Sequence, residues 1–320
     1  MSTKSRVLRT VMLLLKIAVT ASAIWLVFRH YDIAQLANRV AKADRLWLGL
    51  GLGTAFFQLY ILAWRWQLLH RLLTASELPM RLAFAGTSRS VLYGQLLPAI
   101  VGTDAIRVAA VSRQTGLMPA VRSVVGDRIV GLWTLLLLVV VSLTISAFLI
   151  GHGAVVSILV IVSLCGAAVA SALLLDPGML ARIPLFGEFL AQIAGDSRRI
   201  FRFQSGWAVG GIALASHVLS ALIFAAIARG VGGAISLPMC LLVIPQVQLI
   251  ATVPLSLGGW GLREAAVVSA YSLIGADPAA GAIASVLFGL SNPAVGALGE
   301  LCSFLIGRPL ANPAPSQPAQ

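Results

Sequence analysis

Residues 97–111 read LPAIVGTDAIRVAAV and residues 253–267 read VPLSLGGWGLREAAV. Pro98, Gly102 and Arg107 fall on Pro254, Gly258 and Arg263 at one constant spacing, and Ala109-Ala110-Val111 falls on Ala265-Ala266-Val267. After a small insertion, Gly116, Pro119 and Ala120 match Gly275, Pro278 and Ala279. The Ala and Val matches carry little weight in an apolar chain, but the Pro, Gly and Arg spacing does. Pro removes a helical hydrogen bond and Gly relaxes the backbone, so each stretch should break a helix. The surrounding apolar regions, 82–111 and 239–273, therefore read as helical hairpins that enter and leave a membrane on one side.

Composition requires that membrane. Of 320 residues 59% are hydrophobic and only 11% charged, with a mean hydropathy of +0.94. A soluble domain carries roughly 25% charged residues, so most of this exterior must face hydrocarbon. Runs long enough to cross lie at 11–28, 46–64, 129–150, 154–175, 207–228 and 281–306. The first contains Ala21-Ser22-Ala23, which resembles a signal-peptidase site, but its apolar run continues to Phe28 and suits an uncleaved span. The expectation is an all-α polytopic membrane protein with six crossings and two re-entrant hairpins, in one domain over 1–310. Halves at about 1–150 and 154–310 would each hold three crossings and one hairpin. Three is odd, so the second half would be inverted relative to the first. A true crossing pair in place of either hairpin is the alternative. The tail 311–320, rich in Pro, Ala, Ser and Gln, is expected to be disordered.

The charge distribution gives an orientation. With the N-terminus inside, the cytoplasmic segments hold fifteen of the 23 Lys and Arg, Arg65, Arg107, Arg122 and Arg128 among them. The opposite side holds five, and Lys16, Arg89 and Arg263 fall at membrane depth. The net charge of +12 thus follows the positive-inside rule, and no basic patch interleaved with aromatics suggests nucleic acid. Segment 32–45 sets Ile33, Leu36, Ala37 and Val40 on one helical face and should lie along the external interface. Cys165, Cys240 and Cys302 sit in apolar stretches without metal-ligand spacing, so neither a disulfide framework nor a metal is expected.

Charges at membrane depth need partners or water. Asp104 and Arg107, three apart in the first break, can pair on one helical face; Asp127 and Arg128 open the next span. Arg89, Arg107 and Arg128 offer guanidinium forks suited to a lipid phosphate. In the second break Gly258, Gly259 and Gly261 around Trp260 can bring backbone N–H groups to an anion, and a helix starting near Leu262 would aim its positive end there. Arg263 and Glu264 follow at once. Glu300, six residues inside the last span, can pair with one of these arginines or carry a proton, and His217 reads as an interhelical hydrogen-bonding residue. Simple packing of helix bends is the competing account of these residues. No H-E-x-x-H, G-x-S-x-G or Walker A pattern is present, so neither catalysis nor a cofactor is indicated.

Leu97-Pro98, Gly102-Thr103-Asp104, Arg107, Asp127-Arg128 and Gly131-Leu132, with Pro254, Ser256, Gly258-Gly259-Trp260-Gly261 and Arg263-Glu264, together resemble the transmembrane region of lysylphosphatidylglycerol synthase over about 11–306. The family more often has Gly-Gly-Asp where this chain has Gly102-Thr103-Asp104. In two-part members this region acts as a lipid flippase beside a soluble aminoacyltransferase domain, for which 320 residues leave no room. The resemblance therefore implies a multi-pass protein of the bacterial inner membrane that moves an amphipathic, phosphate-bearing lipid. A membrane enzyme or accessory subunit in lipid-linked glycan, glycolipid or hopanoid synthesis is the alternative. The implied partners are an anionic membrane lipid and enzymes of lipid or glycan synthesis; the oligomeric state is left open.

Overall fold

A computed structural model of the chain describes residues 3–29, 31–74, 76–94, 100–150, 187–202, 204–233, 235–253 and 255–306. Among these residues the secondary structure is helical throughout: α1 (Thr3–Phe28), α2 (Ile33–Ala41), α3 (Arg45–Thr74), α4 (Met80–Gly94), α5 (Ile100–Thr115), α6 (Leu117–Ile150), α7 (Gly187–Arg202), α8 (Gln204–Gly230), α9 (Leu237–Thr252), α10 (Leu262–Leu273) and α11 (Pro278–Ile306). Helices are the answer hydrocarbon permits, because each satisfies its backbone polar groups internally. Four are long and apolar enough to cross a membrane, over Arg45–Thr74, Leu117–Ser146, Gly206–Gly230 and Pro278–Ile306. The chain is an all-α membrane protein. The expected crossing at 154–175, the turn at 151–153 and the tail 311–320 lie outside the described residues.

Two helices depart from expectation. α3 runs on to Thr74, ten residues past the expected end, and α6 starts at Leu117, twelve before the expected 129. The charged residues beyond each expected boundary are accommodated inside the helices: Arg65 and Asp127 are buried against each other and Arg122 is tied to Asp196. A paired charge does not end a helix.

Each break separates two short helices, α4 from α5 and α9 from α10, of 12 to 16 residues. At 1.5 Å per residue none of the four spans a hydrocarbon core of about 30 Å. α3 packs along α8, and α4 along α11. The second contact is close: a Cβ added to Gly296 would sit 2.6 Å from the backbone nitrogen of Leu92. Small residues let membrane helices approach this way. Phe224 meets Tyr271 and Phe288 edge-on in a core with Ile223, Ile227 and Ile244, joining α8, α9, α10 and α11.

Two amphipathic helices flank this assembly. α7 packs Ile200 against Leu69, Leu73 and Val130, and Arg122 grips its Asp196 through Nε and Nη2 at 2.8 and 2.5 Å. α2 is capped by Asp32, packs Leu36 on the main core, and is tied by Arg39 to Asp277 at 2.5 Å. Burial pushes the Asp277 carboxyl up, but Arg39 and the N–H groups of Ala279 and Ala280 outweigh it and hold the group below its ordinary value. A depressed carboxyl stabilises above its unfolded pKa of about 3.9 and loses that contribution as pH falls through the folded value. The α2 anchor should therefore be intact at neutral pH and released in acid. Asp277→Asn should reproduce the release at pH 7, raising hydrogen exchange in α2 less than about tenfold, as befits a half-exposed pair.

Candidate functional site

The first break exchanges partners with α6. Arg107 Nη1 donates to Asp127 Oδ2 at 2.8 Å, and Arg65 Nε donates to Asp127 Oδ1 at 2.7 Å. One carboxylate thus serves two guanidiniums, all three groups being buried. Arg107 also lies over the Trp66 ring, 4.2 Å from its centroid, and the Trp66 N–H donates to Ser123 Oγ at 3.2 Å. Such a desolvated cation–π contact contributes about 2 kcal/mol. Asp104 accepts from Arg128 Nε through both oxygens, at 2.9 and 3.1 Å, while Arg128 Nη2 donates to Thr103 Oγ1 at 2.8 Å. The expected Asp104–Arg107 pair on one helix is thus replaced by two pairs between helices. A pair within α5 would have left both Asp127 and Arg128 without α5 partners; the exchange satisfies all four.

The second break is built differently. Gly258, Gly259 and Gly261 have φ of 56°, 80° and 83°, a region L side chains rarely adopt. Gly261 caps α10, and its N–H donates to Glu264 Oε2 at 2.5 Å. Glu264 Oε1 accepts from Arg263 Nε and Nη2 at 3.0 and 2.7 Å and from Ser285 Oγ at 3.2 Å. Arg263 lies 4.5 Å from the centroid of Trp260, and its guanidinium occupies the space a side chain at Gly289 would need. α1 braces the turn, since the Leu257 N–H donates to Thr20 Oγ1 at 3.0 Å. The helix start expected to face an anion is thus occupied by the chain's own Glu264. Arg107 and Arg263, aligned in sequence, share one chemistry: each is buried, stacked on a tryptophan and bound to a carboxylate. Arg107 draws its partners from α3 and α6; Arg263 takes them from its immediate neighbours.

Helices α4 and α5 and the turn before α10 line one cavity of about 640 Å³. Arg65, Arg107, Asp127 and Arg128 line it from one side, Gly258 and Arg263 from the other. Four arginines face one aspartate, and Asp104 and Glu264 behind them still leave one positive charge in excess. Leu62, Leu132, Leu135, Phe224, Ile244 and Phe288 add apolar wall, and Gln58, Ser216, His217, Ser220 and Gln248 add neutral polar groups. His217 joins three helices through Gly131 O at 3.0 Å and Gln248 Oε1 at 3.2 Å, and Gln58 Nε2 donates to Ser216 O and Ser220 Oγ, both at 2.6 Å.

The remaining predicted residues stand apart from the lining. Gly102 lies in α5, and Asp104, Gly259, Trp260, Gly261 and Glu264 support the wall from behind. Arg89 donates to Glu300 Oε1 at 2.7 Å, joining α4 to α11 away from the cavity lining. Arg65, counted as a cytoplasmic loop residue, is instead a wall residue. Its signal was available: Trp64-Arg65-Trp66 sets one charge between two tryptophans in an apolar run. Arg107 and Arg128, counted with it on the cytoplasmic side, also face the cavity.

Membrane helices broken twice, with the breaks converging on a positively charged internal cavity, define an integral membrane protein with an interior polar site. Residues 13–299 match the lysylphosphatidylglycerol synthase transmembrane region, and the chain belongs to that family. The family ties this membrane domain to lipid handling. No curated protein matches the chain.

Proposed function

We propose that this chain moves an amphipathic, phosphate-bearing lipid across the bacterial inner membrane, holding the anionic head group in the cavity while the acyl chains stay in the bilayer. The observation that carries this reading is the excess positive charge where the two breaks meet. Guanidiniums at such depth are costly unless paired, and one positive charge beyond what the carboxylates match favours an anion. Broken helices meeting at an interior site are the arrangement through which repeat-built transporters expose a substrate to either side in turn. In this reading the N-terminus is cytoplasmic, the breaks are re-entrant hairpins, and the halves are inverted repeats.

Reconstituted vesicles with fluorescent phospholipids, quenched from outside, test it. Arg107→Ala and Arg128→Ala are expected to slow lipid movement by about tenfold or more, the loss of one charge-assisted contact of roughly 1.5–3 kcal/mol. Lys at either position should give an intermediate rate, since it keeps charge without the fork. Arg199→Ala, on the exposed face of α7, should match wild type. Undiminished rates per folded molecule in both cavity variants would remove the proposal. Movement appearing only when enzymes of lipid or glycan synthesis are added would replace it with an accessory role.

A further inference from the structure

We infer that Glu300 is a proton-binding site whose occupancy is linked to lipid movement through α4; this rests on the lipid-transport reading above. The acids that support the cavity are fully spent: both oxygens of Asp127 are held by Arg65 and Arg107, both of Asp104 by Arg128, and both of Glu264 by Gly261, Arg263 and Ser285. Glu300 differs. Its Oε1 accepts from Arg89 Nε at 2.7 Å, while its Oε2 is buried without a hydrogen-bond partner. A buried carboxylate oxygen without a donor is costly, and a proton taken from water removes its charge. The pair remains within reach of water, since the side chains of Arg89 and Glu300 are 44% and 30% exposed and Glu300 lies only about 9 Å from the end of α11 at Ile306.

One face of α11 connects this site to the cavity. Ser285, Gly289, Asn292, Gly296 and Glu300 recur at spacings of three and four, so they share that face. Ser285 donates to Glu264, Gly289 leaves room for the Arg263 guanidinium, Asn292 lines the cavity, and Gly296 and Gly299 lie against Leu92 and Ser88 of α4. α4 in turn uses two faces. Thr87, Ser90 and Val91 line the cavity, whereas Ser88, Arg89 and Leu92 meet α11. When Oε2 takes a proton, a new O–H bond neutralises the carboxyl, and the contact from Arg89 falls from a charge-assisted hydrogen bond to a neutral one of about half the strength. Arg89 is then a cation at depth without its counter-ion, which favours its withdrawal toward water. α4 loses this tie to α11, the glycine contacts that remain let it shift, and the cavity wall shifts with it.

Arg89 is the charged group in contact with Glu300, and α3 brings Leu59 to the neighbouring Gly299. The other charges that meet α11 lie at least about 16 Å along it: Arg263 and Glu264 at Gly289 and Ser285, and Arg39 with Asp277 at its start. Arg65 of α3 is bonded to Asp127, and His217 of α8 to Gly131 and Gln248. On α4 itself Arg81 and Tyr93 are exposed.

Two measurements on the full chain in phospholipid vesicles test the inference. Infrared difference spectra on acidification should contain the C=O stretch of a neutral carboxylic acid that Glu300→Gln removes and Arg89→Ala keeps. A spectrum unaltered by Glu300→Gln would overturn the proton site. In the second measurement, movement of a fluorescent phospholipid by the wild type should accelerate as the pH falls, by up to about tenfold per unit for one proton. Glu300→Gln, which fixes the side chain in a neutral form, should be fast and independent of pH, and Glu300→Asp should restore the dependence. Arg89→Ala should also lose the slope while its infrared band persists, which supplies a second variant if Glu300→Gln fails to fold. A wild-type rate flat in pH, or a slope that survives either substitution, would overturn the link. If the wild type moves no lipid at any pH, the transport reading falls instead, and the infrared spectra still decide whether Glu300 takes the proton.

Discussion

Asp127→Asn is expected to lower stability by about 3–5 kcal/mol, because it leaves two buried guanidiniums without their common counter-ion. The change is nearly isosteric, so packing is hardly disturbed and the loss isolates charge. Asn also turns an N–H₂ toward one of the arginines that Asp127 now receives. Arg107→Ala should cost much less, since Asp127 keeps Arg65 at 2.7 Å. Thermal unfolding of the detergent-purified variants checks the ordering. A melting temperature for Asp127→Asn equal to that of Arg107→Ala would mean that water or lipid, rather than this carboxylate, balances the arginines. The comparison also guards the transport experiment, because a variant that is inactive through unfolding is recognised before its rate is interpreted.

Gly261→Ala should be about as damaging, at about 2–6 kcal/mol, through two separable effects. The backbone there has φ of 83°, whose strain with a side chain is on the order of 1–3 kcal/mol. A Cβ would also stand 2.6 Å from that of Ala23 and 3.1 Å from the Thr20 carbonyl oxygen, forcing α1 away at a further cost of about 1–3 kcal/mol. Gly275→Ala supplies the control: its φ is 71°, but nothing lies within 4 Å of the added atom. The difference in melting temperature between the two variants measures the α1 contact alone. If they melt together, α1 does not brace the second break.

The sequence revealed the breaks but not their wiring. Pro, Gly and Arg at a repeated spacing mark where helices fail, because backbone chemistry is local. Which carboxylate meets which arginine depends on how α5 rotates against α6, and neighbours on α5 were therefore paired where the structure pairs across helices. The same limit hid Arg65, since a charge at the end of an apolar run looks like a loop until the helix that covers it is in place. Gln58, His217 and Gln248 converge from α3, α8 and α9, and only His217 was singled out from its type. The glycines read as a turn that brings N–H groups to an anion, and the structure gives the Gly261 N–H to Glu264, three residues on.

Two of the seven tryptophans, Trp66 and Trp260, lie under the arginines of the two breaks, at 4.2 and 4.5 Å. An indole's emission responds to a cation over its ring, so drawing a guanidinium toward a bound anion would change the light that ring gives out. The chain carries a built-in optical gauge at each side of its cavity. In two variants, each with six of the seven indoles replaced by phenylalanine, Trp66 alone would follow the Arg107 side and Trp260 alone the Arg263 side, and the order in which they respond would give the order in which the two halves engage a ligand, without any attached label.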